Sequence, residues 1–175
     1  PVPHRPGLAD WNADADLATD QNFYQGVLRA DLELSDALTL TSLTSLSHFD
    51  QDDFRDTDGS PGKVFGVRQQ GRINSFSQEA RASGKLVDGR LYYVLGGFYA
   101  NDRTNEQNTF DLQLSTSVSA FNGLGFPSFI GTRAVTEQQT KTKALFANVD
   151  FDLSDHLTFH AGARRTWSDT NFSGC

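Results

Sequence analysis

The chain has no methionine, and its one cysteine, Cys175, stands at the very end. A lone thiol excludes an internal disulfide framework and leaves the redox compartment open. With neither an initiating methionine nor a signal-peptide pattern, the chain reads as a fragment or a processed piece. Basic residues are also few: 15 Lys and Arg face 22 Asp and Glu, for a formal net charge of −7. Neutralising phosphates takes clustered cations, so nucleic acid is excluded as a partner. The longest apolar run, Val94 to Ala100, has seven residues, far fewer than the roughly 20 a membrane helix requires. Strands are untouched by that absence, because a membrane strand needs only about 9–11 residues with one face apolar.

What the sequence does have is a phrase used twice. Asp31-Leu-Glu-Leu-Ser-Asp-Ala-Leu-Thr-Leu40 and Asp150-Phe-Asp-Leu-Ser-Asp-His-Leu-Thr-Phe159 both alternate apolar with polar residues around a central Ser-Asp. Alternation at period two marks a half-buried strand, and the Ser-Asp pair a tight turn, so each copy is a β-hairpin with a connection of about three residues. Val87-Asp-Gly-Arg90 supplies a third hairpin, since Asp-Gly favours a two-residue turn. Pro1 to Asp20, with three prolines, reads as loop. Six antiparallel strands follow, expected near 22–34, 38–49, 74–86, 90–101, 143–153 and 157–168. Gln51–Asn74 and Asn101–Thr142 are expected as long polar loops, and Asp111 to Phe121 as a short helix or an extra hairpin.

Side chains segregate along these strands. Tyr24, Leu28, Leu32, Phe76, Ala82, Leu95, Tyr99, Leu145, Val149, Phe159, Ala161 and Trp167 fall on one face. A two-residue Asp88-Gly89 turn places Ala82 opposite Leu95. The reverse face carries Glu79, Arg81 and Arg164 but also Tyr92, Val94, Gly96 and Phe98, which is less polar than a water-filled lumen predicts. On the apolar face, Tyr24, Phe76, Tyr99 and Trp167 gather near the long loops, and Tyr93, Phe151 and Phe159 near the short turns. Two aromatic girdles around an apolar band, with loop length segregated by side, are the pattern of an outer-membrane barrel. Arg165 shares that face beside Trp167, where its stem can snorkel to the headgroups. Six strands with free edges would leave backbone groups unpaired in lipid, so they belong to a larger barrel.

Leu38-Thr-Leu-Thr-Ser-Leu-Thr-Ser45, Phe76 to Gly84, Gly96-Gly-Phe-Tyr99, Ala144 to Asp155 and Leu157 to Arg164, in this order, resemble the barrel of TonB-dependent outer-membrane receptors over roughly residues 21–170. The resemblance implies an all-β fold, an antiparallel transmembrane β-barrel segment of about six strands from a larger, 22-stranded barrel. It also implies an N-terminal plug and remaining strands that lie outside this chain. It implies location in the outer membrane of a Gram-negative bacterium, contact with outer-membrane lipid, and energised uptake of a siderophore, haem, cobalamin or glycan. Coupling to TonB would run through the missing N-terminal region.

Catalytic motifs fail when tested. Asp50 to Gly59 is acidic but puts Phe54 and Phe65 where a calcium loop needs carboxylates, so it reads as a solvated loop, with an outer-surface divalent ion as the alternative. Gly59-Ser-Pro-Gly-Lys63 is too short for a phosphate-binding loop. Asp150 and His160 come out as inward cross-strand neighbours without a nucleophile, which favours a structural hydrogen bond. No enzyme and no cofactor is expected. Glu79, Arg81 and Arg164 are lumen-facing candidates that solvate the wall, hold the plug or line the path. Phe110, Phe121, Phe126 and Phe129 are candidates for ligand contact in the second long loop, or for packing that loop together. The rival readings are a passive porin or adhesin-like barrel, and a secreted β-sheet binding module. In the last, the apolar face would be covered by a second sheet of the same chain.

Overall fold

A computed structural model describes residues 10–126 and 130–175 of the chain. They form one antiparallel sheet whose spatial order is the chain order. Its strands are β1 (Thr19–Ser35), β2 (Leu38–Asp56), β3 (Gly66–Leu86), β4 (Leu91–Asp111), β5 (Gly131–Ser154) and β6 (Leu157–Gly174). A helix, α1 (Thr116–Gly123), lies in the connection between β4 and β5, which decides the helix-or-hairpin alternative for that stretch. Ser115 caps it, its hydroxyl accepting the Val118 N–H at 3.3 Å, and so satisfies one of the donors a helix start leaves open.

The twice-used phrase folds the same way twice. Ser35 pairs with Leu38 and Ser154 with Leu157, and in both hairpins the register shifts one residue before the turn. An extra residue, Leu34 or Leu153, is thereby bulged out of the ladder. The third hairpin closes on Asp88-Gly89, with φ of 54° and 86° and the Arg90 N–H bonded to the Val87 carbonyl. Positive φ at both central residues is what a type I′ turn requires. Ala82 pairs with Leu95 and Ala80 with Gly97 as that turn length dictates.

The turns are tied to their neighbours. The Tyr93 hydroxyl donates to the Ala37 carbonyl at 2.8 Å, and the Lys85 N–H to the Asp36 carbonyl. That turn lies directly over Gly84, where a Cβ would stand 2.0 Å from the Ala37 carbonyl oxygen. Arg90 reaches across to the carbonyls of Asp152 and Leu153 and lies over the Phe151 ring.

Five of the six strands run well beyond the expected bounds, and the true connections are only 57–65 and 112–130. Most of Gln51–Asn74 and Asn101–Thr142 is therefore strand. Both faces there are polar, so no apolar alternation announces them. Cross-strand amides and carboxylates hold them instead: Gln70 to Asp52, Gln107 to Gln70, Gln69 to Glu106 and Gln139 to Asn101, at 2.8–3.0 Å.

One face of the sheet carries an apolar band, interrupted by Arg165 and by Ser42, Thr44 and Gln78, which hydrogen-bond to one another. It covers Tyr24–Leu34 on β1, Leu46–Leu38 on β2, Phe76–Leu86 on β3, Tyr99–Leu91 on β4, Leu145–Leu153 on β5 and Trp167–Leu157 on β6, nine to eleven residues on each strand. Its upper border descends across the register, from Tyr24 on β1 to Trp167, whose row meets β1 at Leu28. A level band must cross the register obliquely where strands tilt, as they do in barrels. Nothing in the described chain covers it: Leu28 is 70% exposed, Leu145 62%, Leu32 57% and Leu95 51%. Among the described residues, all four strand residues with buried side chains, Thr41, Asp53, Ala100 and Ala144, lie on the reverse face.

Candidate functional site

The reverse face is organised by one register row. Asp31, Thr41, Arg81, Gly96, Phe146 and Arg164 are successive cross-strand partners from β1 to β6. Thr41 donates to Asp31 at 2.7 Å, and Arg29 pairs with Asp31 from two residues away. Arg81 pairs with Glu79 at 3.4 Å, both partly buried. Gly96 has no side chain for a reason: a Cβ there would lie 2.2 Å from the tip of the Phe146 ring, which covers it. Arg164 then sits over two rings, Phe146 and Phe98, each 5.6 Å from its guanidinium carbon. Glu79, Arg81 and Arg164 thus share one face and two neighbouring rows. In the sequence Phe98 stands out as an apolar residue on this face, with nothing to join it to Arg164. The signal was there, since the register that sets Ala82 against Leu95 also sets Gly96 against Phe146.

Asp150 and His160 are direct partners on this face, with Oδ1 and Nδ1 2.6 Å apart. Both are exposed or half-exposed, and no hydroxyl or thiol nucleophile stands against them among the hydrogen bonds of the described residues.

The end of the sheet opposite the tight turns carries the rest. The β2–β3 connection is closed by its own aspartates: Asp58 accepts the N–H groups of Ser60 and Phe65, and Asp56 accepts that of Asn12. Burial opposes ionisation of Asp58, but these bonds outweigh it and hold the carboxyl below its ordinary range. Asp52 is likewise held low, first by the two bonds from Arg68 and then by Gln70. Asp53 is 4% exposed. One of its oxygens takes the Thr19 hydroxyl; the other touches the Arg55 guanidinium without the alignment of a hydrogen bond. Among the described residues no group of three or more His, Cys, Asp or Glu could hold a metal ion.

The four phenylalanines separate. Phe110 belongs to β4, not to a loop, and stacks on Phe65 at 6.3 Å. Phe121, on α1, meets Phe126 edge to face at 5.8 Å. Phe129 lies outside the described residues. Around Phe121 and Phe126 the 112–130 connection also exposes Leu114, Leu124 and Ile130, a local excess of apolar surface in a polar setting.

Among protein-family models, residues 2–174 match the one described as "TonB dependent receptor-like, beta-barrel". No curated protein matches the chain.

Proposed function

Because the chain belongs to the family of TonB-dependent receptor barrels, an outer-membrane family of transporters, we propose that it forms part of the wall of a receptor that takes up a scarce nutrient. The observation that carries this reading is the uncovered apolar band, nine to eleven residues tall on each of six strands. That is the height a tilted strand needs to cross the hydrocarbon of a bilayer. The band face meets lipid and the reverse face lines the lumen. β1 and β6 each keep one edge for further strands of a larger closed barrel, because an open edge in lipid is too costly to persist.

In this orientation the tight turns face the periplasm and the 112–130 connection stands outside the cell. Glu79, Arg81 and Arg164 face the plug and the path past it. Phe121 and Phe126 contact the ligand on its way in, since binding residues gather on loops held by a rigid scaffold. Exposed aromatic and aliphatic groups suit a ligand with an apolar or aromatic surface, such as a haem. The aspartates of 50–58 disfavour a polyanion.

The test uses the full-length receptor in cells, with haem, cobalamin, a ferric catecholate and an oligosaccharide as probes. Replacing 113–129 by a short Gly-Ser bridge should abolish uptake of the transported probe while the barrel still assembles. Phe121→Ala with Phe126→Ala should weaken binding about tenfold, the equivalent of roughly 1.4 kcal/mol. Unchanged uptake of that probe in the loop-replaced receptor would refute the assignment of ligand contact.

A further inference from the structure

A second row organises the reverse face, eight residues above the one that holds Arg81 and Arg164. Phe23, Phe49, Ile73, Thr104, Gln138 and Phe172 are its successive cross-strand partners from β1 to β6. On the first three strands the row is wholly apolar. Adjacent strands lie about 4.8 Å apart, so Phe23, Phe49 and Ile73 form one ledge roughly 10 Å wide. It is open, with Phe23 61% exposed and Ile73 38%. Each of the three stands one to three residues beyond the last band residue of its strand, Tyr24, Leu46 or Phe76.

The rim of the ledge is polar but uncharged. Gln21 and Gln51 occupy the row above on β1 and β2, and Gln25, Ser47 and Ser75 the row below on β1 to β3. The Gln51 side chain leans across Gly71, where a Cβ would meet it at 3.5 Å, and so brings an amide to the upper edge. Lower on these three strands apolar side chains stand singly: Val27 faces Ser45, and Leu43 lies between Arg29 and Glu79. Higher, Val67 and its partner Phe110 lie six residues beyond the ledge row on this same face. Apolar groups thus mark the reverse face from the 112–130 connection down to the ledge.

An apolar patch rimmed by polar groups is the signature of a binding surface. The ledge row and the rows above and below it contain no cation and no His, Cys or Tyr. Their carboxylates are Asp102 and Glu106, the latter held by Gln69 and Asn108. The ledge therefore offers flat apolar contact and neutral hydrogen bonds, with no attraction for an anion and no ligand for a metal. We propose that Phe23, Phe49 and Ile73 dock the flat apolar face of a macrocyclic ligand, with Gln25 and Gln51 at its polar edge. Aromatic rings supply large contact area and stack on a π-system. The proposal rests on the assignment of the reverse face to the lumen, and adds a wall site to the contact at Phe121 and Phe126.

The test titrates the full-length receptor in detergent with haem, iron-free protoporphyrin, cobalamin and a neutral linear oligosaccharide, reading affinity by calorimetry. Wild-type receptor should bind at least one macrocycle, and Phe23→Ala with Phe49→Ala should weaken that binding about tenfold or more. If haem is the one bound, protoporphyrin should lose the same factor, since the ledge gives iron no ligand. Val27→Ala with Leu43→Ala, lower on the same face, should leave affinity unchanged. Unaltered affinity in F23A/F49A overturns the proposal, as does a wild-type receptor that binds only the oligosaccharide or no macrocycle at all. A second measurement does not depend on the folding of the double variant. Thr104→Cys, beside Ile73 in the row, is introduced with Cys175→Ser, and intact cells are treated with a membrane-impermeant maleimide. Labelling that excess of the bound macrocycle blocks is the expected result. Labelling that it leaves unchanged sinks only the ledge, and no labelling from outside sinks the lumen assignment as well.

Discussion

Replacing Gly96 by alanine should unseat the aromatic pair that holds Arg164. The new methyl carbon would stand 2.2, 2.6 and 2.9 Å from three carbons of the Phe146 ring, where 3.4 Å marks ordinary contact. The β4 backbone is fixed by partners on both sides, β3 and β5, so the ring must withdraw by more than 1 Å. Turning it aside pulls Phe146 from its rotamer, at about 0.5–1.5 kcal/mol. It also removes one of the two rings beneath the Arg164 guanidinium, a loss of about 0.5–1 kcal/mol at an exposed site. The expected destabilisation is therefore about 1–2.5 kcal/mol. Guanidinium unfolding of the full-length receptor in vesicles, followed by tryptophan fluorescence, measures it. A double-mutant cycle with Phe146→Leu tests the cause, because without the ring the methyl group has nothing to strike. If Gly96→Ala costs as much in the Phe146→Leu background as in the wild type, the reasoning is wrong.

Further outcomes follow from the turns and the outer connection. Val87 is a β-branched residue at φ 54°, so Val87→Gly should stabilise the receptor by roughly 1 kcal/mol, read as a higher unfolding midpoint. Tyr93→Phe should cost about 0.5–1.5 kcal/mol through the lost bond to Ala37, and Gly84→Ala more, since it strikes backbone that cannot turn aside. The Asp58 carboxyl has a lower pKa folded than unfolded, so its contribution is complete above its unfolded pKa and fades as pH falls through the folded one. Hydrogen exchange at Ser60 and Phe65 should accelerate on that descent, and Asp58→Asn should flatten the profile.

How much was legible in the sequence depended on the solvent each part meets. Where one face is apolar, as in Leu28-Arg29-Ala30-Asp31-Leu32, period two is written in the residues, and strands, faces and register could be read together. Above the band, Arg68-Gln69-Gln70-Gly71-Arg72 is strand with water on both sides, so the hydrogen-bond ladder leaves no mark in the alternation. For that reason the sequence alone reads Phe110 as loop, whereas it lies near the end of β4. The hairpin bulges at Leu34 and Leu153 were hidden in the count of turn residues. Arg164 shares its face with Glu79 and Arg81, but its two rings come from β4 and β5, and only the full register brings them beneath it.

The polar extension of the strands also sets an altitude. From Ala100 to Asp111, β4 climbs twelve residues past the last aromatic of the band, roughly 40 Å along the strand at about 3.3 Å per residue. In the membrane orientation proposed above, at a tilt of roughly 35–45°, its rim would stand on the order of 30 Å above the hydrocarbon. On β1 only five residues, Thr19 to Phe23, rise above Tyr24. The parapet is therefore uneven, tall along β3, β4 and β5 and low at β1. In that orientation, a molecule approaching from outside the cell would first strike the 112–130 connection, well above the lipid phosphates. A small solute diffusing along the headgroups would meet the low side at β1 first.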